Sequence, residues 1–296
     1  MEINYSVIIP HFNDEVGLQR LLDSIPSRND IQVIVVDDRS DSDKYVMVSK
    51  NSGLPNVETY LNNRTKSAGT CRNIGLEHAK GKFIVFSDSD DVFTAQAFDY
   101  IDTAIETESN ADIYFFNVTS VSENGSLSVR HIKNSELVLK YLDKQGSYYE
   151  ERLRLTHNVP WGKVIRRELV EEHDIKFDQT IIANDGVFSL KVGKAAKKIF
   201  VSSETIYCVT TRGDSLTRQK DVAKYRVRLE VYVRYFGLLT DEEKRKINAS
   251  PIPLLYLSLD YGLLEFFRSF CFLAKNKVNI FKYFKFKKRF LYIIRR

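Results

Sequence analysis

The stretch Lys82-Phe83-Ile84-Val85-Phe86-Ser87-Asp88-Ser89-Asp90-Asp91 constrains this chain more than any other. Four apolar residues, two of them β-branched, predict a buried strand. That strand runs directly into three carboxylates within four positions. Ionised carboxylates so placed repel one another and resist desolvation. A divalent cation resolves the conflict, because Mg²⁺ and Mn²⁺ favour oxygen ligands and need few protein carboxylates beside substrate phosphates. A solvated Asp/Ser turn is the other account, and this stretch alone does not choose between them.

The chain before it repeats the pattern. Tyr5–Ile9 predicts a first strand that stops at Pro10, and an Asn13-Asp14 cap opens a helix carrying Val16, Leu18, Leu21, Leu22 and Ile25. A second strand, Ile31–Val36, ends in Asp37-Asp38-Arg39-Ser40-Asp41. Strands separated by a helix, each a nearly continuous apolar run, imply parallel pairing in a sheet covered on both faces. Ligands of such sheets sit beyond the carboxyl ends of the strands. Asp37 and Asp38 mark one such end, Asp88 and Asp90 another. Val57–Leu61 predicts a third strand. A helix then starts near Gly69, where a missing side chain admits a phosphate or base to the helix N-terminus. Ala79-Lys80-Gly81-Lys82 closes it with a glycine. A helix over 94–108 and a strand over 112–118 follow, then polar, poorly periodic residues 122–160 with some helix around 135–145.

The 296 residues suffice for one large domain or a domain with an appendage, and a composition of 43% hydrophobic and 28% charged residues is that of a soluble globular protein. No apolar run reaches the ~20 residues that span a bilayer. The first residues lack a basic region, so no signal peptide is expected. Cys71, Cys208 and Cys271 are odd in number and without metal-ligand spacing, as reduced thiols of a cytosolic protein would be. The net charge of +5 is unevenly held: residues 266–296 carry ten Lys/Arg and no Asp or Glu, so the rest of the chain is net acidic. A basic body is lacking, and nucleic acid is not an expected partner.

Four motifs occur in a fixed order. They are Val7-Ile8-Ile9-Pro10-His11-Phe12-Asn13, Val36-Asp37-Asp38-Arg39-Ser40, Gly69-x-x-Arg72-Asn73-x-Gly75 and Asp88-Ser89-Asp90-Asp91. Each is weak singly; together, at this spacing and strand–loop placement, the chain resembles family 2 glycosyltransferases of GT-A fold. The resemblance is close over about the first 120 residues and looser to about residue 220. Arg39 departs from it, since the family usually has glycine after the Asp pair. The fold implied is α/β, a Rossmann-like, mostly parallel sheet flanked by helices, with a helical C-terminal extension. The implied division is 1–218 for the GT-A domain, split into a nucleotide-sugar half (1–120) and an acceptor half (121–218), and 219–296 for the extension.

The resemblance also implies an activity. A sugar would move from a nucleotide-diphosphate sugar, a UDP-sugar first, to a hydroxyl of a glycan or lipid-linked glycan in surface polysaccharide or lipooligosaccharide synthesis. Single displacement would invert the anomeric centre. Pro10, Phe12, Asp37, Asp38, Gly69, Arg72, Asp88, Ser89 and Arg212 would bind the donor, with Asp38 and Asp37 beside uracil and ribose, assisted by Arg72. Asp88 and Asp90 would hold Mn²⁺ or Mg²⁺. Asn184-Asp185 stands where the family usually has a Glu-Asp pair, which makes Asp185 the catalytic base and leaves Asn184 in place of a second carboxylate. A plain helix cap is the alternative. Trp161-x-Lys163 resembles the family's segment ahead of a helix. Trp161, the only tryptophan, is either an acceptor-sugar platform or a core residue, and Lys163 and Asn184 join it on the acceptor side. Arg212 would reach the diphosphate from an Arg-x-x-Ser loop.

From Lys220 onward the pattern is helical, over 222–239 and 251–273. Residues 275–296 interleave aromatic and basic side chains, as an interfacial helix on an anionic membrane surface does. That composition expects a cytoplasmic protein held on the inner face of the cell membrane; a helix packed on the body is the alternative. RNA would need a recognition signature that is lacking. Two other function classes stand beside the transferase. A nucleotidyltransferase favours a glycine-rich basic loop, where residues 9–20 offer only Gly17 and Arg20. A non-catalytic binding module would keep the fold as scaffold, against the presence of Asp88, Asp90 and Asp185.

Overall fold

The computed structural model describes residues 2–41, 50, 52–126, 128–211, 221–280 and 282. The chain forms two compact units, 1–219 and 220–296.

In the first unit the apolar runs fold into strands as the sequence predicts. The elements begin with β1 (Tyr5–His11), α1 (Glu15–Asp23), β2 (Ile31–Asp37), β3 (Val57–Leu61), α2 (Ala68–His78) and β4 (Phe83–Phe86). They continue with β5 (Val92–Phe93), α3 (Ala97–Thr107), β6 (Ile113–Ser122), α4 (Ile132–Lys144) and α5 (Ser147–Thr156). β7 (Lys163–Arg166), α6 (Arg167–Glu172), α7 (Gly186–Ala195) and β8 (Ile199–Thr211) complete the unit. One eight-stranded sheet runs in the order β3-β2-β1-β4-β7-β6-β8-β5. β3, β2, β1 and β4 are parallel, β7 enters antiparallel between β4 and β6, and β8 runs parallel to β6. The α/β architecture is therefore as expected, with the sheet mixed beyond β4.

Both faces are covered, which is why the strands are continuously apolar. Tyr5, Val7 and Ile9 of β1 join Val33, Val35, Val85 and the inner sides of α1 and α3 in one core. Ile8, Ile34, Ile84 and Phe86 point the other way, onto α2, α4 and α7. The alternation is the two-residue period of a strand.

β1 does not stop at Pro10, as expected, but continues to His11. Asp38 N donates to the His11 carbonyl and Ser87 N to that of Ile8, so Pro10 turns its missing donor towards β4. That strand has already ended at Phe86, and no ladder bond is lost. Gly81 is not a helix cap either; α2 ends on Ala79 in an extended conformation. A Cβ at Gly81 would lie 2.5 Å from Ser6 N, so the glycine lets two backbones cross closely. Residues 122–160 hold two helices, α4 and α5, where one was expected.

The second unit contains α8 (Val222–Gly237), α9 (Asp241–Ile247), α10 (Ile252–Leu257), a 3₁₀ turn over Ser258–Tyr261 and α11 (Leu263–Lys275). The single helix expected over 251–273 is broken at Gly262, whose φ of +100° no helix accommodates. α9 carries a capping box, Thr240 with Glu243, and ends on left-handed Asn248. Among the described residues no helix is long and apolar enough to cross a membrane. The basic aromatic tail lies outside the described residues from position 283 on.

The seam between α2 and β1 admits no extra atom, since a Cβ on Gly75 would lie 2.3 Å from Ile8 Cγ2. Gly75→Ala should lower unfolding free energy by about 1–3 kcal/mol through overpacking, read as a shift of the urea midpoint at unchanged slope.

Candidate active site

The site is built where β1, β2, β3 and β4 end. The loops after β1 and β2 are tied together: Asn13 N donates to Ser40 Oγ at 2.9 Å and Asn13 Nδ2 to Asp41 at 2.7 Å. Asp37 is 1% exposed, and its two oxygens accept from Ser40 N and Ser40 Oγ. Its carboxylate shapes the turn rather than facing outward beside Asp38. Arg39 in that turn has φ +62°, a left-handed conformation that a glycine adopts without strain. The departure of Arg39 from the family's glycine thus has a backbone meaning. Asp38 is held by Asn62 Nδ2 at 2.6 Å, and Asn62 also donates to the Thr65 carbonyl. Phe12, 43% exposed, lies under Lys66 Nζ at 3.7 Å from its ring centre. Asn62 and Lys66 carry no local signal that marks them; only the assembled strand ends bring them to the site.

The acidic turn after β4 divides its carboxylates. Asp91 is buried at 2%, accepting from Tyr207 Oη at 2.8 Å and Thr210 N at 2.7 Å. The same Tyr207 hydroxyl accepts from Asp88 N at 2.9 Å. Asp91 thereby fixes the turn that presents Asp88, Ser89 and Asp90, each of them half-buried. Its carboxyl is pushed well up, first by burial and then by Asp90 and Asp88. The Asp90 carbonyl is held by Arg20. Asp91 and Tyr207, absent from the expected site, support it; 116 residues separate the pair, and no local pattern links them.

α2 joins this end of the sheet to the segment 177–185. Arg72, 4% exposed, donates from Nη2 to Asp88 at 2.5 Å and from Nη1 to Asn184 at 2.9 Å. Those bonds occupy its two terminal nitrogens, while Nε is buried without a hydrogen-bond partner. Asn73 forms a reciprocal pair with the Phe177 backbone at 3.0 and 2.8 Å. A Cβ on Gly69 would lie 2.1 Å from the Asp178 carbonyl and 2.8 Å from Asn184 Cβ. The space a side chain would take at Gly69, expected to admit a phosphate or base, is taken by the Asp178 carbonyl and Asn184.

Asp185 opens α7, but its carboxylate makes no capping hydrogen bond, so it is not a plain helix cap. Ala183 just before it holds a left-handed φ of +55°, local strain that aims Asn184 and Asp185. Burial raises the Asp185 pKa, and the Arg72 charge opposes the rise. Lys163 is 2% exposed; its Nζ donates to the His157 carbonyl at 2.7 Å, and burial lowers its pKa to about 7 against the pull of Asp185. His157 is buried beside it and held well below its usual pKa, by burial first. Trp161 is 4% exposed and stacks on Tyr207 at 5.9 Å, a core residue backing the tyrosine that organises the acidic turn. That packing leaves its ring no face for a sugar. Arg212 lies outside the described residues.

The parallel strands thus end in acidic turns, and a buried arginine joins one of those turns to a second segment that carries an uncapped carboxylate. The model of glycosyl transferase family 2 matches residues 6–174, and the chain belongs to that family. It is 27% identical over 224 residues to glycosyltransferase GlyA of Streptococcus pneumoniae, covering 72% of this chain and 31% of that protein. It is 26% identical over 216 residues to TarS of Staphylococcus aureus, a poly(ribitol-phosphate) β-N-acetylglucosaminyltransferase, covering 71% of this chain and 36% of TarS. The chain thus spans about a third of the length of these relatives. The fold is that of the crystal structure of TarS residues 1–349 with UDP-GlcNAc, with a TM-score of 0.61, 20% identity and coverage of 93% of this chain and 91% of that one. A mannosyltransferase from Pyrobaculum calidifontis, crystallised with GDP-Man and Mn²⁺, matches at TM-score 0.59 and 16% identity over 93% of this chain and 76% of that one.

Lys163 supplies a pH signature. An amine that titrates near 7 when folded and 10.5 when exposed binds fewer protons in the native than in the unfolded state across that window. Stability should therefore rise with pH from about 7 to 10.5. Lys163→Met should flatten that limb in a pH series of urea unfolding; an unchanged limb would mean that the buried amine stays charged.

Proposed function

We propose that this chain transfers a sugar from a nucleotide-diphosphate sugar, a UDP-sugar first, to a hydroxyl of a glycan or lipid-linked glycan in bacterial surface-glycan synthesis. The observation that carries this reading is Asp185: a carboxylate of raised basicity, kept from capping its own helix, on the same Arg72 frame as the acidic turn after β4. Residues 1–120 form the donor half and 121–218 the acceptor half.

Phe12 and Asp38 receive the nucleoside at the ends of β1 and β2, the exposed ring offering a stacking face and the carboxylate, oriented by Asn62, a hydrogen-bond acceptor. Pro10, on the side of β1 that faces β4, stands beside them. Asp88, Ser89 and Asp90 face the diphosphate. Asp185 takes the proton of the acceptor hydroxyl as general base. The oxygen so freed bonds to the anomeric carbon as the bond to the diphosphate breaks, and that electron pair leaves on the diphosphate oxygen. Attack opposite the leaving group inverts the centre. Lys163 and Asn184 act from beneath: Asn184 holds Arg72, and the Lys163 charge state biases Asp185.

The carboxylates of Asp88 and Asp90 suit a hard divalent cation, Mn²⁺ or Mg²⁺. Asp91 is lifted first by burial and then by Asp90 and Asp88, and only that second, like-charge part is what a cation at those two carboxylates would relieve. Among the described residues no three side chains form a metal group by themselves, as fits an ion shared with substrate phosphates. When bound, it would offset charge on the diphosphate. A cytoplasmic position on the inner membrane face, with residues 275–296 against anionic lipid, accords with their composition.

Thermal denaturation against nucleotide diphosphates tests the donor class, because a ligand that binds only the native state raises the melting temperature. UDP should raise it only with Mn²⁺ or Mg²⁺, and Asp90→Ala should abolish the metal-dependent part. No shift with any nucleotide would favour a non-catalytic module. Asp185→Asn should keep the UDP shift and lose about 100-fold or more of transfer, the worth of a general base. In the wild type the base must be ionised, so transfer should rise with pH through a value above the ordinary carboxylate range. Near-normal turnover by Asp185→Asn removes it as the base.

A further inference from the structure

α11 buries polar groups and exposes apolar ones. On its inward side Glu265 and Ser269 are 5% and 2% exposed, beside the fully buried Leu273. Glu265 accepts two hydrogen bonds from Arg226, at 2.9 and 2.6 Å, and Ser269 accepts from Tyr225 Oη at 2.9 Å. Its outward side is apolar. Leu263, Leu264, Phe267 and Phe270 are 70%, 65%, 62% and 40% exposed. Leu263, Phe267 and Phe270 recur four and then three positions apart, on one face of the helix. Tyr256 and Leu259 of the preceding turns are also exposed. An apolar stripe of this kind ordinarily faces a core, and contiguous exposure of one marks an interaction surface.

The charge beside it selects the partner. Arg268, Lys275 and Lys277 are exposed against one exposed carboxylate, Asp260, and no acidic residue occurs from position 266 onward. Two copies of this face would bring like charges together, which opposes self-association. A surface of anionic phosphates over hydrocarbon answers both features at once. Leucine and phenylalanine enter the headgroup boundary while lysine and arginine meet the phosphates.

We propose that the outward face of α11, formed by Leu263, Leu264, Phe267 and Phe270 with Arg268 and Lys275 alongside, docks this protein on an anionic lipid surface. The surface lies upstream of most of the basic tail. It is independent of the transfer reaction, and the polar anchors on the inward side hold the helix with its apolar face outward before any lipid is met.

The test is co-sedimentation of the full chain with vesicles of phosphatidylcholine alone and of equal parts phosphatidylcholine and phosphatidylglycerol. Wild-type protein should pellet with the anionic vesicles, less so as salt is raised. Phe267→Ser with Phe270→Ser should lower the partition about tenfold or more, as the loss of two buried aromatic side chains implies. The metal-dependent UDP shift in melting temperature should be equal in both proteins, which establishes that the variant is folded. Equal vesicle binding by variant and wild type overturns the proposal and assigns any binding to the tail. A change in molecular mass by light scattering without a change in vesicle binding also overturns it and makes the face a contact between copies. Vesicle binding that depends on the two phenylalanines, in a protein that gives no UDP shift, sustains the docking face and removes the donor reading alone.

Discussion

Arg72 is the charge on which the site depends. It is buried on α2, and its fork reaches Asp88 in one direction and Asn184 in the other. A buried guanidinium is tolerable only while paired and hydrogen-bonded, and removing one partner leaves a stranded charge that destabilises by several kcal/mol. The acidic turn and the segment before α7 are therefore held to a common point. The neighbours of Arg72 on α2 reinforce this. Asn73 clasps Phe177, Gly69 admits the Asp178 carbonyl, and Gly75 admits Ile8. Gly69, Arg72 and Asn73 tie α2 to residues 177–184, while Gly75 seats the helix on β1.

Around this point the ionisable groups fall into different environments. Asp37 and Asp91 are consumed in shaping turns and Asp38 is buried on Asn62, whereas Asp88 and Asp185 are only half-buried. Burial drives Asp185 and Lys163 towards each other in acidity, the carboxyl upward and the amine down to about 7. Small changes in local charge can then move a proton, which is the condition acid–base chemistry needs near neutral pH.

Much of this was legible in the sequence because its signals are local. Continuous apolar runs gave β1 to β4, and the four ordered motifs gave the family and the strand ends that bear it. Strand order was not local. β7 inserts antiparallel between β4 and β6, and nothing in Lys163–Arg166 specifies its neighbours. Gly69 was noticed for its missing side chain, but what fills the space comes from more than a hundred residues downstream. Trp161 left two readings open because a large aromatic residue suits a core and a sugar platform equally well; only its burial against Tyr207 separates them. The helix expected over 251–273 had the right periodicity, and one glycine broke it.

The bond between Tyr207 and Asp91 also has a bearing on how the enzyme comes into being. The acidic turn leaves the ribosome well over a hundred residues ahead of the tyrosine and threonine that hold it, since both partners belong to β8. Until then the turn has only the partners made before it, Arg72 on Asp88 and Arg20 on the Asp90 carbonyl. The seat beneath Asp91 is completed last, when the final long strand of the sheet docks.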